Sequence, residues 1–348
     1  MKKIFIEDGL SLYNKTGIGQ YTENLSGLLS ELGYKVIMPR KPFLDKIKNA
    51  SLKRILYVLW LNIVFPFLLL ASGSKIVIFS NYLTPLYKIP TKKYYPVIHD
   101  LSVLKFPETM SKTKRNYQAW ILKVAKNNYH KIITVSESVK KEIADYYKCS
   151  ENDICTIYNY FSFGENVCMP EKVQNNILNR YNLEEKQYIL SVGSLNKRKN
   201  IQALIDAYNQ INISKKLVIA GRKENQEICN ENTNVIFTGY IDDEDLKILY
   251  KNALIFIFPS LYEGFGIPLI DAQSFGVPVL CSDIPVFHEV GGDSVEYCGI
   301  NPESIKEKLS YLTNDETKQK YLVKKGYENI ERFFKENLKS QIKATLGE

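Results

Sequence analysis

The sequence predicts an α/β protein of two doubly wound domains, and three observations support this fold class. Twelve short apolar segments recur along the chain, six in each half, and most are continuous runs, as in parallel strands that are covered on both faces. Helical stretches alternate with these segments. The length of 348 residues suits two domains of ordinary size. In such a pair we expect the carboxyl ends of the strands to face a shared cleft in which ligands bind.

The predicted elements follow one another in regular order. Strands are predicted in the first half at 3–7, 35–39, 75–80, 94–99, 131–135 and 154–158, and in the second half at 188–192, 216–220, 234–238, 253–258, 277–281 and 294–297. Helices are predicted between them at 21–32, 116–127, 137–147, 201–212, 243–251 and 303–313. The break falls in the polar stretch 164–171, which gives domains of residues 1–165 and 166–333. We expect a last helix, at about 334–348, to pack back on the first domain.

Composition excludes several classes of protein. With 45% apolar and 24% charged residues, the chain is not a disordered protein, a collagen or a multi-span membrane protein. Six scattered cysteines and three histidines argue against a disulfide framework and against a Cys/His zinc site. Residues 1–165 carry 24 Lys and Arg against 13 Asp and Glu, whereas residues 166–348 carry 22 against 25. This asymmetry favours an anionic partner for the first half, a nucleic acid or a membrane surface, with ordinary solvation as the alternative.

One segment, residues 55–71, is apolar almost without a break and has three interpretations. It fits a buried or partly exposed helix, because Asn62 and Pro66 interrupt it and parallel strands on both sides leave no room for a span. It also fits a helix that touches a membrane surface, since four cations lead into it: Lys46, Lys48, Lys53 and Arg54. A spanning helix is the third interpretation, at the lower limit of length.

The strongest motif runs from Phe258 to Ala272, where an apolar strand enters a loop with two glycines and then a helix. The glycines allow the backbone to approach a ligand closely, and the first N–H groups of a helix attract an anion such as a phosphate. Glu263 lies in the loop and Asp271 in the opening turns of the helix. Their oxygens suit sugar or ribose hydroxyls, and capping of the helix start is the structural alternative.

A second motif, Leu190 to Asn200, also takes a strand into a glycine loop, here with three consecutive cations before a helix. Arg198 offers a planar fork and Lys199 a mobile point charge, and both suit a diphosphate. A solvated turn is the alternative. The glycine loop around Gly17 and Gly19 begins like a dinucleotide fingerprint, but Thr22 stands where a third glycine belongs, so an NAD site is not predicted.

A His-Asp pair ends the strand predicted at 94–99. His99 and Asp100 at the carboxyl end of a buried strand point toward the expected cleft. The alternative is a hydrogen-bonded interior histidine. His130 and His288 are predicted to be structural, the second of them in a loop.

Together these motifs resemble those of the family 4 retaining glycosyltransferases, which have the GT-B fold of two Rossmann-like domains facing a cleft. The resemblance extends from Asp8 to about Phe333 and keeps the family's order. The matching segments are 16–22, 99–100, 133–138, 192–200, 237–240, 259–266 and 282–293. Each is weak alone, but the ordered set is specific. It is most similar to the mannosyl- and rhamnosyltransferase branch of bacterial surface-polysaccharide synthesis.

The resemblance implies a nucleotide-sugar donor, bound mainly by the second domain. In this family's pattern Lys199 and Arg198 would neutralise the diphosphate, Glu263 would bind sugar hydroxyls, and His99 would face the donor sugar near the reacting carbon. The other donor-binding residues that it implies are Gly17, Gly19, Ser194, Tyr240, Gly264, Phe265, Gly266 and Asp271. Two positions depart from the pattern. Ser194 stands where many members have Arg, and Asp271, expected at the ribose, is one methylene shorter than the family's Glu.

The implied reaction is a retaining transfer of a hexose or deoxyhexose, with GDP-mannose as the favoured donor. The donor phosphate itself would help to deprotonate the acceptor. The growing charge on the diphosphate would be stabilised by cations and a helix start, so we expect no metal and no cofactor. The acidic run 242–245 opens a helix and is expected to cap it. Alternatives are a dTDP-rhamnose or UDP-sugar donor, a sugar-nucleotide epimerase, and a catalytically weak sugar-nucleotide-binding scaffold.

The implied acceptor is a lipid-linked saccharide or an oligosaccharide of an O-antigen or capsule. We therefore expect a cytoplasmic protein, peripheral on the inner face of the cell membrane, whose basic first half binds anionic lipid. A nucleic-acid partner is not expected, because the basic residues show no groove pattern interleaved with aromatic residues.

Overall fold

The structure, a computed structural model, describes residues 2–9, 17–109, 112–127, 129–160, 170–224 and 227–347. It divides into two compact units. The N-terminal unit comprises Met1–Tyr160 with Lys335–Glu348, and the C-terminal unit comprises Phe161–Phe334. Thr16 of the first glycine loop and most of the predicted break at 164–171 lie outside the described residues.

Each unit is built on a six-stranded sheet whose described strands are all parallel. The strands of the N-terminal unit are β1 (Lys3–Glu7), β2 (Lys35–Ile37), β3 (Ile76–Phe79), β4 (Lys93–Ile98), β5 (Ile132–Thr134) and β6 (Ile154–Thr156). Those of the C-terminal unit are β7 (Tyr188–Val192), β8 (Lys216–Ala220), β9 (Val235–Gly239), β10 (Ile255–Phe258), β11 (Val279–Ser282) and β12 (Glu296–Cys298). All twelve predicted strands are present, and the predicted fold class is confirmed.

The strand order reverses once in each sheet. The N-terminal sheet has the order β2-β1-β3-β4-β5-β6, and the C-terminal sheet has the order β12-β11-β10-β7-β8-β9. The chain therefore leaves β1 in one direction and returns on its other side as β3, and it does the same around β7 and β10. At such a switch point the loops diverge at the carboxyl edge and leave a crevice where α/β proteins bind ligands.

The helices that join the strands in the N-terminal unit are α1 (Gly17–Glu31), α2 (Pro42–Asp45), α3 (Ala50–Ser72), α4 (Ser102–Lys105), α5 (Lys112–Asn127) and α6 (Glu137–Tyr147). Those of the C-terminal unit are α7 (Glu171–Arg180), α8 (Ile201–Tyr208), α9 (Asp243–Asn252), α10 (Ile267–Ser274), α11 (Pro285–Gly291), α12 (Pro302–Asn314) and α13 (Glu316–Ile330). Capping side chains fix several starts. Ser136 Oγ accepts from the Val139 N–H at 3.1 Å, and Asn301 Oδ1 accepts from the Ser304 N–H at 2.8 Å.

The last helix, α14 (Lys335–Leu346), belongs to the N-terminal unit although it ends the chain. Lys335 and Lys339 pair with Glu31 at the end of α1, at 3.1 and 2.7 Å. Gln341 accepts a hydrogen bond from the Tyr158 N–H at 3.0 Å. These contacts tie α14 to α1 and to the segment after β6.

The apolar segment 55–71 lies within α3, which is a partly exposed helix. One seam of α3 packs against β1, β3 and β4, and its buried side chains are Tyr57, Trp60, Leu61, Phe65 and Leu69. The rest of its apolar surface is exposed, and Phe67 reaches 71%. Ser51–Ser72 is long and apolar enough to cross a membrane, by length and composition only. The buried seam agrees with the first interpretation, a partly exposed helix, and is compatible with the second, a helix that touches a membrane surface.

Pro66 in the middle of α3 is compensated from outside the helix. Proline has no N–H, so the carbonyl of Asn62 loses its helical partner. The hydroxyl of Tyr87 donates to that carbonyl at 2.6 Å. The Asn62 side chain completes the contact, because its Oδ1 accepts from the Leu86 N–H at 2.8 Å. The segment before β4 is therefore bound to α3 at the proline.

A buried charge cluster lies at the end of β1, beside the switch point of the N-terminal sheet. Lys41 is fully buried, pairs with Glu7 at 3.2 Å and with Asp8, and lies 5.2 Å from the ring centre of Trp60. Tyr57 donates to Glu7 Oε1 at 2.8 Å, and Glu7 Oε2 has no partner. Burial raises the pKa of Glu7 to about 7, with Asp8 acting in the same direction and Lys41 opposing it.

Replacing Glu7 with Gln is expected to flatten the pH dependence of stability between about pH 5 and pH 8. The pKa of Glu7 in the folded protein lies above its ordinary value of 4.5. The stability that Glu7 contributes is therefore fully present below pH 4.5 and is lost as the pH rises through 7. The wild type should lose about 2 kcal/mol of unfolding free energy over this interval by this route. Urea unfolding of both proteins at the two pH values measures it.

Glu31→Gln is the matched control in the same unit. Hydrogen bonds from Lys339 and Lys335 lower the pKa of Glu31, so its contribution changes only in more acidic solution. If the wild type and Glu7→Gln lose the same stability between the two pH values, Glu7 does not titrate there.

Candidate active site

The two strongest motifs meet at the switch point of the C-terminal sheet. β7 and β10 are neighbours in the sheet, although 62 residues lie between the end of β7 and the beginning of β10. The loop after β7 contains a 3₁₀ turn, Lys197–Lys199, which ends at Asn200 in the left-handed region with a φ of 56°. The N–H of Leu261, in the loop after β10, donates to the carbonyl of Arg198 at 2.8 Å. The two loops are thus joined through their backbones.

At this junction one carboxylate binds two cations. Lys199 Nζ lies 2.6 Å from Glu263 Oε1, and Arg198 Nη1 lies 3.0 Å from Glu263 Oε2. Arg198 also donates to the carbonyl of Tyr262 at 2.9 Å. Lys199 and Glu263 are both buried, at 8% and 9% exposure. The ring of Phe258 lies below the ammonium group of Lys199, 4.6 Å from its centre.

The two cations determine the charge state of Glu263. Burial by itself would raise the pKa of this carboxyl, but the Lys199 and Arg198 cations outweigh it and lower the pKa to about 2. The cluster therefore holds one negative and two positive charges at neutral pH. The sequence places the cations on a diphosphate and the carboxylate on hydroxyls. The structure brings all three side chains together as one cluster.

Two glycines make room for Lys199. A Cβ on Gly193, at the end of β7, would lie 3.1 Å from Lys199 Cε. Gly221, at the end of β8, supports Gly193 in turn, because its own Cβ would fall 1.9 Å from the Gly193 carbonyl oxygen. The backbones of the two loops therefore touch. Sequence reasoning missed Gly221, since one glycine after a buried strand carries little signal.

The loop after β10 leads directly into α10. Gly266 occupies the N-cap position with a φ of +107°, and a Cβ there would lie 2.9 Å from the ring of Phe287. Phe265 buries its side chain against Phe333, with ring centres 5.4 Å apart, so only its backbone is available to a ligand. Gly264, Phe265 and Gly266 thus form the loop that leads into α10, as the motif predicts. Asp271 lies in the second turn of α10 and is 4% exposed.

Ser194 and Tyr240 lie in the loops after β7 and β9, on the same edge of the sheet. Ser194 Oγ accepts from Asn196 Nδ2 at 3.1 Å. Tyr240 is 55% exposed, and the guanidinium carbon of Arg222 lies 5.1 Å from the centre of its ring. Arg222 follows Gly221 and was not predicted from the sequence. Together Arg222 and Tyr240 offer a flat, cationic and aromatic surface next to β7, the strand that leads to Arg198 and Lys199.

His99 follows β4 in the N-terminal unit and is held in one tautomer. Its Nε2 lies 2.7 Å from the carbonyl of Ser80, which only accepts, so Nε2 carries the proton and Nδ1 is an acceptor. Burial lowers the pKa of His99, with Ser80 and Asp100 opposing it. The ring packs edge-on against Tyr21, with centres 5.0 Å apart. Tyr21 lies in the first turns of α1, two residues after Gly19, and Gly17 begins that helix.

Other predicted residues have structural roles. Asp242 caps α9 by accepting from the Asp245 N–H at 2.9 Å, as expected for the acidic run. Asp100 accepts from the N–H of Ser102, the first residue of α4, at 2.8 Å. His288 lies in α11 and not in a loop. It pairs with Asp283 at 2.5 Å and stacks on Tyr297. The helix forms there because Pro285 supplies a start and the sequence beyond it is apolar on one side.

Two family models match the chain, and together they cover most of it. Residues 173–329 match the model for glycosyl transferases group 1, and residues 15–161 match the model for Glycosyltransferase Family 4. The first model spans the cation–carboxylate cluster, and the second spans α1 and His99.

Among known proteins, O-antigen chain mannosyltransferase RfbU of Salmonella typhimurium is 29% identical over 82% of this chain and 78% of its own length. O-antigen chain mannosyltransferase B of Escherichia coli is 28% identical over 70% and 67%. Among solved structures, Anabaena HepE in complex with UDP and glucose aligns with this chain over 100% of both chains, with a TM-score of 0.70 and 14% sequence identity. That likeness shows the fold alone.

The two family models, together with two doubly wound units in one chain, identify a glycosyltransferase with the GT-B fold. The chain belongs to glycosyltransferase family 4. The family resemblance of the sequence motifs is thereby confirmed.

Glu263→Gln is expected to lose stability at neutral pH and much less in acid. The folded pKa of about 2 lies below the ordinary 4.5, so the carboxylate's contribution is present above pH 4.5 and is lost as the pH falls through 2. About 2 kcal/mol of that contribution should disappear between about pH 7 and pH 3. The gap in unfolding free energy between wild type and variant, measured by urea at both pH values, should narrow by this amount.

Glu244→Gln is the control for that experiment. Its carboxylate is exposed and pairs with Lys247 on the same helix, so the substitution should change stability by a few tenths of a kcal/mol. A Glu263→Gln gap that stays constant with pH would mean that the two cations do not hold the carboxylate ionised.

Proposed function

We propose that the chain is a retaining glycosyltransferase that moves a hexose or deoxyhexose from a nucleotide sugar, with GDP-mannose favoured, to a lipid-linked or oligosaccharide acceptor in surface-polysaccharide synthesis. The observation that carries the proposal is the cluster of Lys199, Arg198 and Glu263 beside the start of α10. The mannosyltransferase names of two relatives support the donor sugar.

The chemistry of the cluster suits a departing nucleoside diphosphate. As the bond from the sugar to the phosphate breaks, negative charge grows on the diphosphate, and two positioned cations stabilise it in a site with little water. The N–H groups at the start of α10 add a further positive potential. In the proposal, phosphate oxygens replace Glu263 as the partner of the cations, and the released carboxylate accepts hydrogen bonds from sugar hydroxyls.

Glu263 then has two successive roles. Without a donor it is the counterion that keeps Lys199 and Arg198 in place, since two neighbouring cations, one buried and one half-buried, would repel each other without it. With a donor it becomes a hydroxyl acceptor that is already ionised, because its pKa lies far below neutral pH. The exchange needs no net proton transfer.

The sugar, the base and the acceptor proton have separate partners in the proposed reaction. His99 faces the donor sugar with a neutral imidazole whose Nδ1 accepts a hydrogen bond, and the donor phosphate helps to deprotonate the acceptor hydroxyl. Arg222 and Tyr240 provide a surface on which a nucleobase can stack. The proposal routes no step through a metal, since the cations already supply the charge that a metal would.

The names of the relatives support the proposed acceptor, and the proposed location goes with a lipid-linked acceptor. Both named mannosyltransferases act on an O-antigen chain, and we extend this to the present chain as an O-antigen or capsule saccharide. The proposed location is the cytoplasmic face of the cell membrane. A dTDP-rhamnose or UDP-sugar donor is the alternative within the same fold.

A panel of GDP-mannose, GDP-fucose, dTDP-rhamnose and UDP-sugars tests the donor. GDP-mannose should raise the melting temperature most and should release GDP only when a membrane-derived saccharide acceptor and the enzyme are both present, with or without EDTA. A larger shift with a UDP-sugar would overturn the donor but not the family. Binding without any acceptor-dependent release would leave a sugar-nucleotide-binding scaffold, and sugar interconversion without an acceptor would indicate an epimerase.

Lys199→Ala is expected to lower kcat/KM at least about 100-fold, because a positioned cation on a departing diphosphate is worth several kcal/mol. Lys197→Ala is the matched control, since Lys197 is in the same turn but is exposed. It should stay within about threefold of wild type. The assay is initial-rate GDP release, with circular dichroism to confirm folding. Equal rates for the two variants would remove Lys199 from the diphosphate.

A further inference from the structure

The outer face of α3 carries much of the exposed apolar surface of the chain. The described residues include twenty large apolar side chains that are exposed, and eight of them lie on this one helix: Leu52, Ile55, Leu59, Ile63, Val64, Phe67, Leu68 and Leu70. They recur at helical spacing and form a continuous stripe along its length. A contiguous apolar surface of this kind marks an interaction site and not ordinary exposure.

A groove with a cation at its edge adjoins the stripe. It is a shallow cavity of about 450 Å³ between α3 and the start of α2, lined by Arg40, Phe43, Leu59, Trp60, Ile63 and Val64. Its walls are apolar except for Arg40, whose exposed guanidinium has no partner in the described part of the chain. An apolar trough that ends at a free cation has the shape and charge to take an alkyl chain that carries a phosphate.

The charge around α3 is of one sign. Residues 46–99 contain eight Lys and Arg and no Asp or Glu. Four of these cations lie at the beginning of α3, Lys46 and Lys48 before it and Lys53 and Arg54 in its first turns. Near its end lie Lys75 and Lys3, and Lys3 donates to the carbonyl of Ser72 at 3.0 Å. The stripe is therefore apolar along its length and cationic at both ends.

We infer that α3 docks flat on the surface of an anionic lipid bilayer, with its stripe in the upper acyl region, its terminal cations on the headgroups and one lipid chain in the Arg40 groove. The inference rests on the proposed function only in that a lipid-linked acceptor lies in a membrane. Cations at both ends place both ends at the headgroup level, which is the arrangement of an interfacial helix.

Other occupants fit the surface less well. A second copy of the chain would bring two cationic rims together, and residues 46–99 supply no carboxylate to pair with them. A spanning arrangement would require α3 to leave the sheet. That would remove its buried seam from the core and break the hydrogen bond from Tyr57 to Glu7. An interfacial helix keeps the seam packed and covers only the stripe.

The docked orientation bears on the site of the N-terminal unit. α3 precedes the parallel strand β3, so it runs antiparallel to the sheet and begins at the carboxyl edge. His99 and the start of α1 lie at this same edge. A flat α3 therefore holds that edge near the headgroups, where the saccharide of a lipid-linked acceptor emerges.

The test is sedimentation of the full-length protein with phosphatidylglycerol or phosphatidylcholine vesicles. Ile63→Gln/Phe67→Gln removes two exposed side chains from the stripe without touching its seam, and should lower the partition coefficient on phosphatidylglycerol at least about tenfold. Val173→Gln/Tyr321→Gln, which alters two exposed apolar residues of the C-terminal unit, should leave the partition coefficient within about twofold of wild type.

Arg40→Gln/Lys48→Gln tests the charges and should weaken binding roughly tenfold on phosphatidylglycerol and little on phosphatidylcholine. Salt near 1 M should also weaken it.

Several results would overturn the inference. These are no binding to either vesicle, unchanged binding of Ile63→Gln/Phe67→Gln, and release by detergent but not by salt, which would mean a spanning helix. A wild-type dimer in sedimentation velocity that this variant dissociates, with no vesicle binding, would mean that a second copy covers the stripe. The rise in melting temperature with GDP-mannose is measured on the same variants. If GDP-mannose causes no rise, the proposed donor is wrong. Vesicle binding needs no donor, so it tests only the docking of α3 on the bilayer.

Discussion

The buried carboxylate of Glu263 is the interaction on which the arrangement of the candidate active site depends. It joins the loop after β7 to the loop after β10, which are distant in the chain and adjacent only because the strand order reverses between them. Without a counterion, Lys199 would be driven out of its buried place between Gly193 and Phe258. The glycines, the aromatic ring and the start of α10 thus surround cations that a single carboxylate retains.

A second charged cluster occupies the corresponding place in the N-terminal unit and has the opposite balance. Glu7 shares one lysine with Asp8, so two carboxylates compete for one cation, and burial raises the pKa of Glu7 to about 7. Glu263 pairs with two cations, and its pKa falls to about 2. A buried glutamate at the switch point of each sheet therefore has its pKa shifted in opposite directions by its neighbours. The first cluster fixes Tyr57 and so α3, whereas the second keeps cations ready for an anion.

The sequence allowed most of the fold and the members of the site to be predicted, but not their contacts. Strands such as β7 and β8 were predicted to the residue because continuous apolar runs end sharply at glycines. The pairing of Lys199 with Glu263 could not be predicted, because it depends on strand order, which hydrophobic periodicity does not encode. Arg222 was missed because a cation after a strand is common on surfaces. The exposure of α3 was left open because composition does not show which side of a uniformly apolar helix the sheet covers.

The hydrogen bond from Tyr87 to Asn62 has an evolutionary consequence. The hydroxyl of Tyr87 serves a carbonyl that is free only because residue 66 is proline. A family member with any other residue at position 66 closes the helical bond itself, and its position 87 no longer needs a donor. Conversely, a member that keeps the proline but loses the tyrosine must satisfy the carbonyl with water or with another side chain. Positions 66 and 87, which are not neighbours in the chain, should therefore vary together across the family.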